Sequence, residues 1–198
     1  MTKNKVLEAI YSRRSIRDYS QKAVPEEVVK EILKAGTMAP SSGNTQPWRF
    51  SIIEGKKNRE YFGEVALRGI LGERKFLELK RKNPVLKKKK AAQLAEKIFY
   101  NAPLLIVVSG EKNKRFLQDD INLAAQNMFL AAHSLGIGSC WIGFRDQLNR
   151  DPIAKKMLGV PENFEIVAPL IFGYSKEKPK KIPKRELKIF LWKKNGKN

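Results

Sequence analysis

Asp119-Asp120-Ile121-Asn122-Leu123-Ala124-Ala125-Gln126-Asn127-Met128, followed by Leu135-Gly136-Ile137-Gly138-Ser139-Cys140-Trp141-Ile142-Gly143, is the stretch that decides the fold. Ile121, Ala124, Ala125, Met128, Phe129 and Ala132 recur at helical spacing and form one wide apolar face. They predict a helix from Asp119 to Gly136, which Asp119 or Asp120 can cap. Ile137 to Gly143 then reads as a strand. Gly136-Ile137-Gly138 imitates the opening of a dinucleotide fingerprint, but Trp141 stands where the third glycine belongs. The segment also follows a helix, whereas the fingerprint follows a strand. These two facts contradict the fingerprint.

The neighbouring segments agree. Leu104 to Ser109 is an uninterrupted β-branched and leucine run, the pattern of a buried strand. Glu165 to Tyr174 reads as a long apolar strand, and Pro169 inside it predicts an edge position or a bulge. Trp48 to Glu54 is a further strand. Helices are predicted from Asn4 to Tyr11, from Val24-Pro25 to a stop at Gly36, and from Ile153 to Leu158. Residues 56 to 100 are charged and helix-prone, with breaks at Gly63, Gly69, Gly72 and Pro84. The fold class is α+β: a central mixed sheet of four or five strands surrounded by helices. One domain spans residues 1–198, with a variable helical excursion at 60–95 and a C-terminal arm at 182–198. The arm ends in the apolar patch Ile189-Phe190-Leu191-Trp192, which needs a surface to cover it.

Forty Lys and Arg face 20 Asp and Glu, a net charge of +20. The cations are spread along the chain, with one run at Lys87-Lys88-Lys89-Lys90 that no aromatic residue interrupts. A nucleic-acid groove pairs basic residues with stacking platforms, so the pattern speaks for a solvated basic surface. No apolar run is long enough to span a bilayer, and no signal peptide is evident. Cys140 is the only cysteine and His133 the only histidine, which leaves no basis for a Cys/His metal site. A cytoplasmic location is expected. Cys140 reads as a small buried hydrophobe, Trp48 as a packing anchor and His133 as structural.

Two further segments carry chemistry. Arg13-Arg14-Ser15-Ile16-Arg17 packs three guanidinium groups and a hydroxyl into five residues, dense equipment for a phosphate. The same arginines would also suit the C-terminal dipole of a helix. Ala39-Pro40-Ser41-Ser42-Gly43-Asn44-Thr45-Gln46-Pro47-Trp48 is a polar loop bounded by proline and glycine.

Five segments in order, these two with the helix, the strand after it and Val167-Ala168-Pro169-Leu170-Ile171-Phe172-Gly173-Tyr174, resemble the nitroreductase-like flavoenzymes. The resemblance implies FMN as cofactor and NADH or NADPH as co-substrate. It implies that Arg13, Arg14, Ser15 and Arg17 contact FMN, with Arg13 and Ser15 nearest the phosphate and ribityl chain. Arg17 would reach the pyrimidine end of the ring. Lys184 and Arg185, in Ile182-Pro183-Lys184-Arg185, would return to the phosphate. Pro40, Ser41, Ser42, Asn44 and Gln46 would come from the other subunit of a homodimer. The backbone N–H groups of Ile142 and Gly143 would face flavin N5.

The implied activity is hydride transfer through N5 to an electron-poor acceptor such as a nitroaromatic, quinone or flavin. No protein acid or base is required for that step, and no catalytic side chain is assigned. Alternatives on the same fold are reductive dehalogenation, for which the neighbours Glu60 and Tyr61 are the nearest feature, or flavin-modifying chemistry. A basic protein that holds FMN or nucleic acid without turnover is another.

Overall fold

A computed structural model describes residues 4–81, 97–177, 182 and 184–193 of the chain. Pro84 and the run Lys87 to Lys90 lie outside the described residues.

Four strands form one sheet: β1 (Arg49–Glu54), β2 (Leu104–Glu111), β3 (Gly138–Trp141) and β4 (Phe164–Gly173). Their order is β1-β2-β4-β3, and all three pairings are antiparallel. Parallel pairing is confined to an isolated bridge between Ser15 and Ser139. The helices are α1 (Lys5–Ser12), α2 (Glu26–Thr37), α3 (Lys56–Leu71), α4 (Glu73–Arg81), α5 (Leu117–Ser134), α6 (Arg145–Arg150) and α7 (Pro152–Met157). The α+β class read from the sequence is the one observed.

β2 explains its own apolar run. Side chains alternate across a sheet. Leu104, Ile106 and Val108 join the core under α2 and α5, while Leu105 and Val107 join the core on the opposite face. That second core includes Phe62 and Val65 from α3, Leu148 from α6 and Ala154 from α7. The sheet is therefore covered on both sides, and β2 has no polar face to display.

α5 is the spine of the first layer. Every residue of its anticipated apolar face is buried, and it packs on α2, β2, β3 and β4. Gly136, at φ 74°, ends it in the left-handed conformation, with Ile137 N–H returning to Ala132 O at 2.8 Å. The start differs from expectation. The helix begins at Leu117, Phe116 occupies the cap position, and no side chain caps it. Neither Asp119 nor Asp120 is free to do so, because both already lie inside the first turn.

Three other readings are corrected. α2 does not stop at Gly36 but continues to Thr37. Gly36 serves packing instead: a Cβ there would sit 2.9 Å from Met128 Cγ on α5. α3 runs unbroken through Gly63 and Gly69, and the break falls at Gly72, where φ is 78°. Pro169 lies in β4, an inner strand rather than an edge. It is tolerated because its nitrogen faces the end of β3. Its carbonyl accepts Ile142 N–H at 2.9 Å, and an antiparallel residue points its N and O the same way. With no N–H to give back, Pro169 closes the β3 ladder at Trp141. The bulge that the proline also predicted lies close by: the β2–β4 register shifts between Val108 and Ser109, and Val167 of β4 has no opposite residue.

Candidate functional site

The segment Arg13 to Ser20 is stitched onto the sheet. Ile16 N–H donates to Ser139 O at 3.0 Å, and Ser20 N–H to Tyr174 O at 2.8 Å. Tyr19, fully buried, donates its hydroxyl to Ile16 O at 2.8 Å. Gly138 permits this docking, since a Cβ there would meet Ile16 Cγ1 at 2.8 Å. Arg17 N–H is held by Glu177 Oε1 at 3.0 Å, which leaves the exposed Arg17 guanidinium beyond the sheet edge.

Arg13 and Arg14 follow the last turn of α1. Together with Lys184 and Arg185 from the C-terminal arm they line a cavity of about 480 Å³. Among the described residues no carboxylate pairs with any of these four cations. Burial first, and then the charges of Arg14 and Arg185, hold the Arg13 pKa below its usual value. Arg13 also lies over the Phe129 ring, 5.8 Å from its centroid. One Arg14 nitrogen bonds Arg13 O, but its Nε and Nη2 are buried with no partner among the described residues. Buried donors without acceptors are costly, and donors on a cation more so. The arrangement asks for an anion that brings several oxygens.

A second, smaller cavity of about 200 Å³ continues from Arg13 and Arg14 to Ser12, His133 and Ser139. Ser12 donates to Glu8 O at 2.7 Å, so its oxygen accepts from His133 Nε2, also at 2.7 Å. This fixes the neutral imidazole as the Nε2–H form. Burial, followed by Arg13 and Arg14, pushes the His133 pKa down. The sequence reading had His133 as structural and did not single out Ser12. Only the return of α5's last turn to α1 places them beside the arginines.

Cys140 is buried, and burial pushes its thiol pKa up against the opposing influence of Arg17 and the Ser15 hydroxyl. Ser15 is thus beside β3, as its bridge to Ser139 requires. Ile142 and Gly143 come directly after β3. Their N–H groups differ: that of Ile142 is spent on Pro169 O, while that of Gly143 has no partner among the described residues. The Ile142 N–H, expected to face a ligand, is instead engaged within the sheet.

The polar loop is elsewhere. Ser42 N–H donates to Asp120 Oδ1 at 2.9 Å, near the start of α5, whereas Ser12 and Arg13 sit by His133 near its end. Thirteen residues of helix separate the two places, about 20 Å at 1.5 Å per residue. Within one chain, therefore, Pro40, Ser41, Ser42, Asn44 and Gln46 do not join the arginine cluster. Tyr61 does not join it either, since its hydroxyl bonds Asp151 Oδ1 at 3.2 Å in the α3–α7 layer.

The family model described as the nitroreductase family matches residues 10–174, the span from the last turn of α1 to the end of β4. The chain belongs to the nitroreductase family. An Archaeoglobus fulgidus protein that carries an NADH dehydrogenase/NAD(P)H nitroreductase name is 34% identical over 176 residues, 86% of each chain. A nitroreductase from Bacteroides fragilis, solved with bound FMN, is similar at 30% identity with a TM-score of 0.73, covering 94% of this chain and 96% of that one. An iodotyrosine deiodinase from Thermotoga neapolitana is 28% identical, covering 88% of this chain and 91% of its own length. Among the described residues no helix is long and apolar enough to cross a membrane.

Proposed function

We propose that this nitroreductase-family chain is an FMN-dependent NAD(P)H oxidoreductase whose flavin site is completed by a second copy of the chain. One observation carries the reading: Arg14 has buried guanidinium nitrogens without partners, in a cluster of four cations that meets no carboxylate among the described residues. The donor set fits the phosphate of FMN. Arg13, Arg14, Lys184 and Arg185 would hold it, with Ser15 beside the ribityl chain and Arg17 toward the ring. When bound, FMN supplies the redox chemistry, accepting a hydride from NADH or NADPH and passing it to an electron-poor acceptor.

The chain's own work is orientation, charge balance and exclusion of water. The cations neutralise the phosphate and so anchor one end of the cofactor. Gly143 offers an unpaired N–H and no side chain, so a flat ring can approach the backbone. Arg17 places positive charge where the ring's reduced form is anionic. Side-chain acids and bases are not needed for hydride movement, in keeping with their scarcity here.

Two observations support the second copy. The polar loop lies about 20 Å along α5 from the arginines, so within this reading it reaches a flavin site only from a second copy. The surface also offers apolar area for association. Val6 and Met38 are 64% and 71% exposed beside a groove of about 450 Å³ between α1, α2 and α5. In the arm, Phe190 is fully exposed and Leu187 is 86% exposed, more than a lone chain in water favours.

The test compares FMN with riboflavin, which lacks the phosphate, by quenching of flavin fluorescence. FMN should bind at least about tenfold more tightly, the effect of losing charge-assisted bonds. Equal affinity for the two would contradict the phosphate assignment.

A further inference from the structure

Asp120 is 4% exposed, yet it neither caps α5 nor pairs with a cation among the described residues. A buried carboxylate requires donors. Its Oδ1 takes the N–H of Ser42 at 2.9 Å.

Ser42 opens an unusual stretch of backbone. Gly43, Asn44 and Gln46 have φ of 57°, 55° and 46°. Two of these three are left-handed without being glycine, a conformation that persists only when its surroundings impose it. The loop's other bonds are local. Asn44 N–H reaches Ser41 O at 2.9 Å, Gln46 N–H reaches Ser41 Oγ at 3.0 Å, and Gln46 Nε2 reaches Asn44 Oδ1 at 3.1 Å. Local bonds fix the shape of a loop but do not attach it to the protein. Among the described residues, the Ser42–Asp120 bond is the hydrogen bond that ties residues 41–44 to a distant element.

We propose that Asp120 is a positioning residue for the flavin site of the partner chain. It touches no cofactor. It holds the loop of residues 41–46, whose left-handed course its own local bonds fix, at a fixed place on α5, so that the loop meets a flavin held by the other copy's Arg13 and Arg14. This inference rests on the shared-site reading above and adds the element that sets the loop's geometry.

The test has two parts. FMN affinity is measured for Asp120→Ala and Asp120→Asn homodimers, with the thermal midpoint of each apoprotein as a check on folding. Asp120→Ala should bind FMN about tenfold or more weakly, while Asp120→Asn, whose amide oxygen still accepts from Ser42, should stay within about threefold. Mixed dimers of an Arg13→Ala chain and an Asp120→Ala chain, separated by different tags, are then titrated with FMN. If Asp120 acts on the partner's site, both lesions fall in one site and the other is wholly native, so one site per dimer binds with wild-type affinity. If no native-affinity site returns, Asp120 acts within its own chain and the proposal is overturned. Wild-type affinity in the Asp120→Ala homodimer also overturns it, and leaves the shared flavin site standing. Failure of the wild-type protein to bind FMN removes the functional reading and this inference together. Should Asp120→Ala not fold, Asp120→Ser, too short to reach Ser42, replaces it in both measurements.

Discussion

Ile142 donates its backbone N–H to Pro169 O at 2.9 Å, and with that bond the β3 ladder ends. The next residue, Gly143, leaves the sheet with no partner for its N–H among the described residues and open space where a Cβ would stand. Gly143→Val should therefore fold normally, with a stability change below about 0.5 kcal/mol. Its FMN affinity or its rate of flavin reduction should fall about tenfold or more, because the side chain fills the approach to the ring. Native binding and reduction by Gly143→Val would remove Gly143 from the site.

Arg14 carries the unpaired buried nitrogens, and Arg13 shares its cavity. Replacing either by Ala removes charge-assisted bonds to phosphate, about 1.5–3 kcal/mol, or roughly a 10- to 100-fold loss in FMN affinity. Riboflavin affinity should not change. Titrations at low and high salt should show a shallower salt dependence in each variant, since one cation fewer meets the dianion. An Arg13→Ala protein with unchanged FMN affinity would contradict the phosphate site.

His133 provides a pH signature. Its folded-state pKa is lowered by burial and by Arg13 and Arg14. The unfolded chain therefore binds a proton that the native protein refuses, starting near the ordinary value of about 6.5. Stability from this group is fully present above that pH and declines as the pH falls through it. Thermal midpoints of the apoprotein should drop between about pH 7.5 and 5.5, and His133→Gln should flatten the drop. An identical pH slope in the variant would show that His133 titrates without linkage to folding.

The legible part of this molecule was the part governed by local pattern. The buried face of α5, the break at Gly136 and the two-sided burial of β2 follow from periodicity and run length, and all are present. What sequence alone did not reveal depends on which distant segments meet. Asp120 looked like a helix cap because carboxylates favour that position. In the fold, Phe116 starts the helix and the carboxylate serves the loop at Ser42. Pro169 argued for an edge position or a bulge; a register shift does lie beside it, and the end of β3 makes its inner position tolerable. Likewise nothing in the spacing of Ser12 and His133, 121 residues apart, announces a hydrogen bond. The arginine cluster and the polar loop were visible as motifs. Their separation along α5 was not.

The C-terminal arm leads to a prediction about assembly. Phe190, Leu191 and Trp192 are exposed on the single chain. Burial of such side chains contributes about 1.5–3 kcal/mol each. A chain ending at Arg185 should dissociate at concentrations where the full-length protein sediments as a dimer. A truncated protein that stays fully dimeric at low concentration would place the subunit contact elsewhere.

The central claim is that this family member holds FMN and reduces it with a nicotinamide. The most direct measurement is the visible spectrum of the FMN-loaded protein on anaerobic addition of NADH, and separately of NADPH. Rapid bleaching of the flavin absorbance by at least one of the two is expected, the faster naming the preferred donor. Flavin that binds tightly yet stays oxidised with both would contradict it.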